Sequence, residues 1–254
     1  MSEHDSVIST RRLSKAFFPT RQYRTLFRLL KGTFAKIVTP ADSFWALRDI
    51  NIQVCRGDKV GVIGNNGAGK SSLLRLMGGL HSPTDGEIVV NGQVTLLAAL
   101  GTGMLDELTV EENIFLYGAI CGVDRKVIKA TLQEIIEWAE LEPFATAKLK
   151  TLSTGMRARV AFSTTRHVTT DITLMDEVLT AGDRNFRQKC KDVLDSYKSN
   201  GRTFIFASHD FDFVRDVCNK TLWLEKGRQK AFGETEPILR RFLEAETTAV
   251  AKRV

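Results

Sequence analysis

The spacing of apolar and polar positions changes period along the chain, and each change marks an element. KVGVIG (59–64) is apolar at nearly every position, the pattern of a short buried strand. A glycine-rich turn follows, then helical spacing from about Ser71 to Leu80. GEIVVNGQVTLL (86–97) predicts strands broken at Asn91-Gly92, a hairpin-type turn pair. From Thr109 to Ala147 the period is helical, with Ile128, Leu132, Ile135, Ile136 and Ala139 on one side. A helix over 153–166, the strand DITLMDE (171–177), a helix near 184–198 and the strand RTFIFASH (202–209) come next. A helix over 211–217 leads into TLWLEKGRQKAFG, a hairpin turning at Gly227. EPILRRFLEAE closes the pattern as a short helix with Pro237 in its first turn. Strands and helices alternate, so the fold class is α/β.

Composition narrows the setting. The chain has 254 residues, 43% of them hydrophobic, enough for one large domain. No stretch approaches ~20 consecutive apolar residues, so no transmembrane helix is expected. MSEHDSVIST has neither a basic nor an apolar leader region. Cys55, Cys121, Cys190 and Cys218 have no paired spacing, which predicts reduced thiols in a cytoplasmic protein and neither a disulfide framework nor a zinc site. The formal charge is +6, and the excess is local: between Arg11 and Lys36 there are eight basic residues and no acidic one.

The chemistry begins at GNNGAGKS (64–71), a full G-x-x-x-x-G-K-[ST] phosphate loop set between a strand and a helix, the context that confirms it. Gly64, Gly67 and Gly69 let the backbone around Asn65, Asn66 and Ala68 curl so that successive N–H groups face phosphates. Lys70 then places an ammonium between β- and γ-phosphates, Ser71 offers a hydroxyl to Mg²⁺, and Ser72 adds a donor at the helix start. A nucleoside triphosphate with Mg²⁺ is the implied ligand. DITLMDE carries Asp176 to the tip of a buried strand, where a carboxylate holds Mg²⁺ through its water shell. Glu177, one residue beyond, is placed to polarise an attacking water. His209 ends a strand on the same sheet edge and can reach a γ-phosphate. TLSTGMRARVAFS (151–163) is a second anion site: Ser153 is a helix N-cap, with Thr154 and Gly155 leaving first-turn N–H groups uncovered.

With GNNGAGKS, LSTGM, TLMDE and ASH in that order, residues from about 44 to 233 resemble the nucleotide-binding domain of an ABC ATPase. The resemblance implies a P-loop NTPase fold with a RecA-like core, an antiparallel β subdomain and a helical subdomain (about 98–157) that carries the signature. The whole of 1–254 then reads as a single ATPase domain, with a C-terminal helix and tail over 234–254. Two copies of such a domain pack head to tail. Leu152, Ser153, Thr154, Gly155 and Met156 match the signature that caps the γ-phosphate bound to the partner copy, and Asp183 of TAGD matches a dimer-contact aspartate. Asp176 and Ser71 would hold the metal, Glu177 would act as general base and His209 would sense the γ-phosphate. An aromatic ring normally stacks on adenine; Phe17 and Phe18 are candidates, and so are Phe44 and Trp45.

Departures from the family pattern define a branch. No glutamine lies between Gln93 and Gln133, where most such ATPases place one before the helical subdomain; Val178 replaces a usual proline, and Met156 a usual glutamine. A glycine-rich loop ahead of ELTVEEN, the signature SxGMRARxAFS and DEVLTAGDRNFRQKC resemble ATPases that export capsule, O-antigen or teichoic acid. Such a subunit would form a homodimer under an integral membrane permease dimer that passes a lipid-linked polysaccharide. It would sit peripherally on the cytoplasmic face of the inner (plasma) membrane, with no nucleic acid expected. The alternatives are the ATPase of another transporter, or a soluble ABC ATPase acting on nucleic acid or ribosomes; one P-loop and no long heptad run speak against the latter.

Residues 19–43 would be a basic amphipathic insertion. Tyr23, Leu26, Phe27, Leu30, Phe34 and Ile37 fall roughly together, and Arg24, Arg28 and Lys31 share another side. It suits a membrane interface, a groove in the permease or the pyrophosphate of a lipid carrier, and equally a solvated surface helix. The chain ends soon after its last predicted helix, so no appended sugar-binding domain is expected.

Overall fold

The computed structural model describes residues 5–18, 43–97, 102–167, 170–176, 184–199 and 201–251. Residues 19–42 of the expected basic insertion lie outside them. β1 (Ser6–Phe17), β2 (Phe44–Ile50) and β3 (Gln53–Cys55) are followed by β4 (Lys59–Ile63) and helix α1 (Lys70–Met77). β5 (Asp85–Val90) and β6 (Val94–Leu97) lead to three helices: α2 (Val110–Ile120), α3 (Arg125–Ala139) and α4 (Thr154–Thr165). β7 (Ile172–Asp176), α5 (Arg184–Ser199), β8 (Thr203–Ala207), α6 (Phe211–Val217), β9 (Lys220–Glu225), β10 (Arg228–Glu234) and α7 (Thr235–Ala251) complete the chain.

Among the described residues the strands form one sheet in the order β3-β1-β2-β10-β9-β4-β8-β7-β6, with β5 paired to β1. β1 pairs antiparallel with β2, β3 and β5, while β9, β4, β8, β7 and β6 run parallel. Parallel strands are covered on both faces, so their side chains divide between two cores. Val62, Leu174, Ile205, Ala207, Leu222 and Leu224 pack with Leu73, Leu74, Leu76 and Met77 of α1 on one side. Ile63, Met175, Phe204, Phe206 and Trp223 face the other, where α2 to α7 contribute Ile114, Tyr117, Ile135, Phe162, Leu194 and Phe242. The phosphate-loop helix and the signature helix thus belong to different cores.

Local chemistry sets the helix starts. Thr109 and Glu112 form a reciprocal capping box on α2, and Asp124, Ser153 and Asp210 cap α3, α4 and α6 through their side chains. α1 stops at Met77, three residues short of the expected Leu80, because Gly78 and Gly79 (φ 71°) end it. The helical stretch after Thr109 divides where Gly122 adopts φ 79°. Asn91-Gly92 does not close a hairpin, contrary to the turn signal: β5 goes to β1 and β6 to β7, so the turn hands the chain from the antiparallel to the parallel part of the sheet. The C-terminal helix is longer than expected, running from Thr235 to Ala251. Among the described residues no helix is long and apolar enough to cross a membrane.

Candidate functional site

The phosphate loop leaves β4 at Ile63 and re-enters regular structure at Lys70. Gly64 (φ 145°) and Gly69 (φ 103°) are required by close backbone approach: a Cβ on Gly64 would lie 2.1 Å from the Leu224 carbonyl oxygen, and one on Gly69 2.6 Å from that of Ala46. Gly67 has φ 76° but open space around it. Gly69 is the N-cap of α1 and no side chain caps that helix start. Its first-turn N–H groups, with the half-buried Ser71 and Ser72, therefore present a positive dipole end to an anion. Lys70 is 6% exposed. Its ammonium donates to the carbonyls of Gly64 (2.8 Å) and Asn65 (3.4 Å). Asn65 and Asn66 are exposed at the tip, and Ala68 is buried beneath it.

The turn between β9 and β10 braces this loop from behind. Gly227 N–H donates to the Ala68 carbonyl at 3.1 Å, and the Gly227 carbonyl accepts from Arg48 N–H at 2.7 Å. A Cβ on Gly227 would meet the Ala46 carbonyl oxygen at 2.6 Å. The pattern Lys-Gly-Arg announces a turn; its docking under the phosphate loop is a tertiary fact with no local signal.

Three parallel strands end beside the loop. In register, Val62 of β4 lies opposite Ala207 of β8, and Ala207 opposite Asp176 of β7. His209, two residues past β8, brings Nε2 to 3.1 Å from Nζ of Lys70. Ser208, before it, is buried and donates its N–H to the Val62 carbonyl at 3.3 Å. Oδ1 of Asp176 is buried without a hydrogen-bond partner among the described residues. A desolvated carboxylate oxygen is costly unless something electropositive meets it, so this atom fits a hydrated divalent cation. Ser71, half-buried in the first turn of α1, carries a hydroxyl at the start of that helix. Among the described residues no group of three or more His, Cys, Asp or Glu could hold a metal by itself. Any ion here would lean on the bound phosphates for its remaining ligands. Glu177 and Asp183 lie outside the described residues.

The second anion site has the expected local form. Ser153 accepts from Met156 N–H through Oγ at 3.3 Å, while Ser153 and Thr154 are exposed and Leu152 is buried. A Cβ on Gly155 would meet nothing nearer than Ser153 Oγ at 4.0 Å, so the helix start is open. Met156 packs against the helical core. Two residues that the sequence did not single out order this start and the 105–109 segment beside it. Arg157 donates to Asp106 at 2.6 Å and to the Leu152 carbonyl at 3.3 Å. The side-chain amide of the fully buried Asn113 donates to the carbonyls of Leu105, Leu108 and Thr109. The segment replacing the usual glutamine is thereby fastened to the signature helix, apart from residues 98–101, which lie outside the described residues.

All four aromatic candidates for adenine sit on one edge. Phe17 pairs across the strands with Phe44, and Ala16 with Trp45. Phe44 is the most exposed at 65%, then Phe18 at 52% and Phe17 at 37%. Trp45 is half-buried, with the Arg48 guanidinium 4.9 Å from its ring centroid. Trp45 precedes Ala46, the residue against Gly69, and so stands nearest the loop in sequence.

α7 also reaches this region: Glu246 accepts from the Asn65 side-chain amide at 3.0 Å. Three thiols are held protonated, since burial pushes Cys121 up to about 11 and Cys190 and Cys218 higher still.

A family profile described as ABC transporter matches residues 47–180. A "teichoic acids export ATP-binding protein" of Staphylococcus saprophyticus is 39% identical over 223 residues, 87% of this chain and 84% of the relative. A protein of the same name from Listeria innocua is 35% identical over 84% of this chain, and the chain spans 63% of its length. A dimeric ATP-binding cassette in a post-hydrolysis state with ADP and Pi shares the fold, with a TM-score of 0.70 at 20% identity, covering 90% of this chain and 99% of that one.

Proposed function

This chain belongs to the ABC transporter family of ATPases, and from that premise we propose that it powers export of a lipid-linked surface polysaccharide, teichoic acid in particular. The observation that carries the cargo is the 39% identity, over most of both chains, to a relative named for teichoic acid export. Capsule and O-antigen are the neighbouring cargoes within the same chemistry. Two copies of the chain would work as a homodimer on an integral membrane permease, peripherally at the cytoplasmic face of the plasma membrane.

ATP binds with its phosphates in the loop Gly64–Ser71, where backbone N–H groups, Lys70, Ser71 and Ser72 meet them. Ser71 and Asp176 would hold a Mg²⁺ ion, which would supply charge neutralisation at the bound phosphates. The orphaned Asp176 oxygen and the uncapped start of α1 support this assignment. Glu177 takes the proton of the attacking water, and His209 contacts the γ-phosphate beside Lys70. The open helix start at Ser153, Thr154 and Gly155 meets the γ-phosphate held by the other copy, with Asp183 at the dimer contact. ATP then joins the two copies, and hydrolysis releases them.

The test is genetic and chemical. Depleting the protein in its host should lower phosphate-rich polymer at the cell surface, and re-expression of wild type but not Lys70→Ala should restore it. Unchanged surface polymer, with loss of another transported solute instead, would remove the cargo and leave the ATPase.

A further inference from the structure

His209 is held from both sides. On its N-terminal side the Ser208 N–H bonds to the Val62 carbonyl of β4. On its C-terminal side Asp210 makes three contacts. Its N–H donates to Ser208 Oγ at 3.0 Å, Oδ1 accepts from Phe213 N–H at 3.0 Å to cap α6, and Oδ2 accepts from Arg187 Nη1 at 3.1 Å. The Asp210 side chain is 20% exposed and that of Arg187 43%, so the carboxylate end of this ion pair is partly desolvated. Arg187 is in the first turn of α5, and its guanidinium reaches the residue next to His209.

We propose that Arg187 is a positioning residue for ATP hydrolysis, acting through Asp210 on His209. The arginine neutralises the Asp210 carboxylate, a negative charge one residue from the imidazole that meets Lys70. It also ties α5 to the end of β8, so the histidine keeps its place relative to the phosphate loop. The inference rests on the reading of His209 as the γ-phosphate contact.

Asn caps a helix as well as Asp. Asp210→Asn therefore keeps α6 capped while removing the charge that Arg187 binds, and it stands in for Arg187→Gln should that variant fail to fold. Turnover, KM and equilibrium ATP binding are measured on the full chain for Arg187→Gln, Arg187→Lys, Asp210→Asn, His209→Ala and the Arg187→Gln/His209→Ala pair. The expected result is a kcat lowered about tenfold in Arg187→Gln, with KM and ATP affinity within about twofold of wild type. Because the contact is through a single nitrogen, Arg187→Lys should recover most of the rate. On the His209→Ala background Arg187→Gln should cost nothing further. Wild-type turnover in both Arg187→Gln and Asp210→Asn overturns the inference, as does a full additional loss in the pair or an equal loss in ATP affinity. If His209→Ala itself turns over normally, the reading of the histidine fails; if it collapses while Arg187→Gln does not, only the inference fails.

Discussion

Nζ of Lys70 lies 3.1 Å from Nε2 of His209, joining the phosphate loop to the end of β8 through one ammonium. An ammonium only donates, so in this contact the imidazole nitrogen is the acceptor. The same ammonium donates to the carbonyls of Gly64 and Asn65. Removing the imidazole therefore leaves the loop's own contacts intact, whereas removing the ammonium takes both. His209→Ala should lower kcat by about 10²-fold while ATP affinity stays within about threefold. Lys70→Ala should weaken ATP binding itself. Nucleotide titration alongside phosphate release separates the two; equal loss of affinity in both variants would show that the histidine acts only by supporting the lysine.

The glycines of the loop are not equivalent. A methyl on Gly64 or Gly69 collides with a carbonyl oxygen of a neighbouring strand, while one on Gly67 meets nothing within 4 Å. Gly67→Ala should cost about 1–2 kcal/mol from its positive φ alone. Gly64→Ala must also move β9 and should cost clearly more, with loss of ATP binding. Urea unfolding of the two variants gives the comparison, and equal costs would remove the steric argument.

Elements set by local chemistry were legible from the sequence. α6 runs over 211–217 as its period predicts, the Ser153 cap is made, and the phosphate loop lies between β4 and α1. What was not legible depends on partners distant in sequence. Asn91-Gly92 looks like a hairpin because a turn pair says nothing of which strands its flanks will join. The bond between Asn65 and Glu246 spans 181 positions, and the Gly227 brace is likewise set by packing. Phe17, Phe18, Phe44 and Trp45 could not be ranked because β1 and β2 bring them to a single edge.

Glu140 gives the helical region a sensitivity to acid. It ends α3 in the left-handed conformation (φ 58°) and binds Lys189 of α5 and Arg159 of α4. Lys189 first, then Arg159, holds its carboxyl below the ordinary 4.5. A folded-state pKa below the unfolded one stabilises above the ordinary value and loses that contribution as pH falls through the depressed value. Glu140→Gln should be less stable than wild type at neutral pH, by under about 1 kcal/mol because the carboxylate is half exposed. The gap should close in acid below the ordinary carboxylate range. Denaturant curves at several pH values test this, and a gap independent of pH would assign the loss to something other than charge.

Gly155 separates folding from function at the signature helix. There is room for a side chain, since the nearest atom to its Cβ position is 4.0 Å away. A carboxylate in the first turn of a helix is favoured by the dipole, so Gly155→Asp should keep or slightly raise the melting temperature. It should also leave ATP binding to the chain's own phosphate loop unchanged. Ser153→Ala, by contrast, loses the bond to Met156 N–H and should cost about 1 kcal/mol of stability. If the helix start faces a triphosphate on the second copy, the Gly155→Asp carboxylate repels it. Hydrolysis should then fall about 10²-fold, and ATP-dependent dimers should vanish in light scattering. A Gly155→Asp chain that dimerises and hydrolyses ATP like wild type would mean that this helix start meets no phosphate, and the head-to-tail reading would have to be given up.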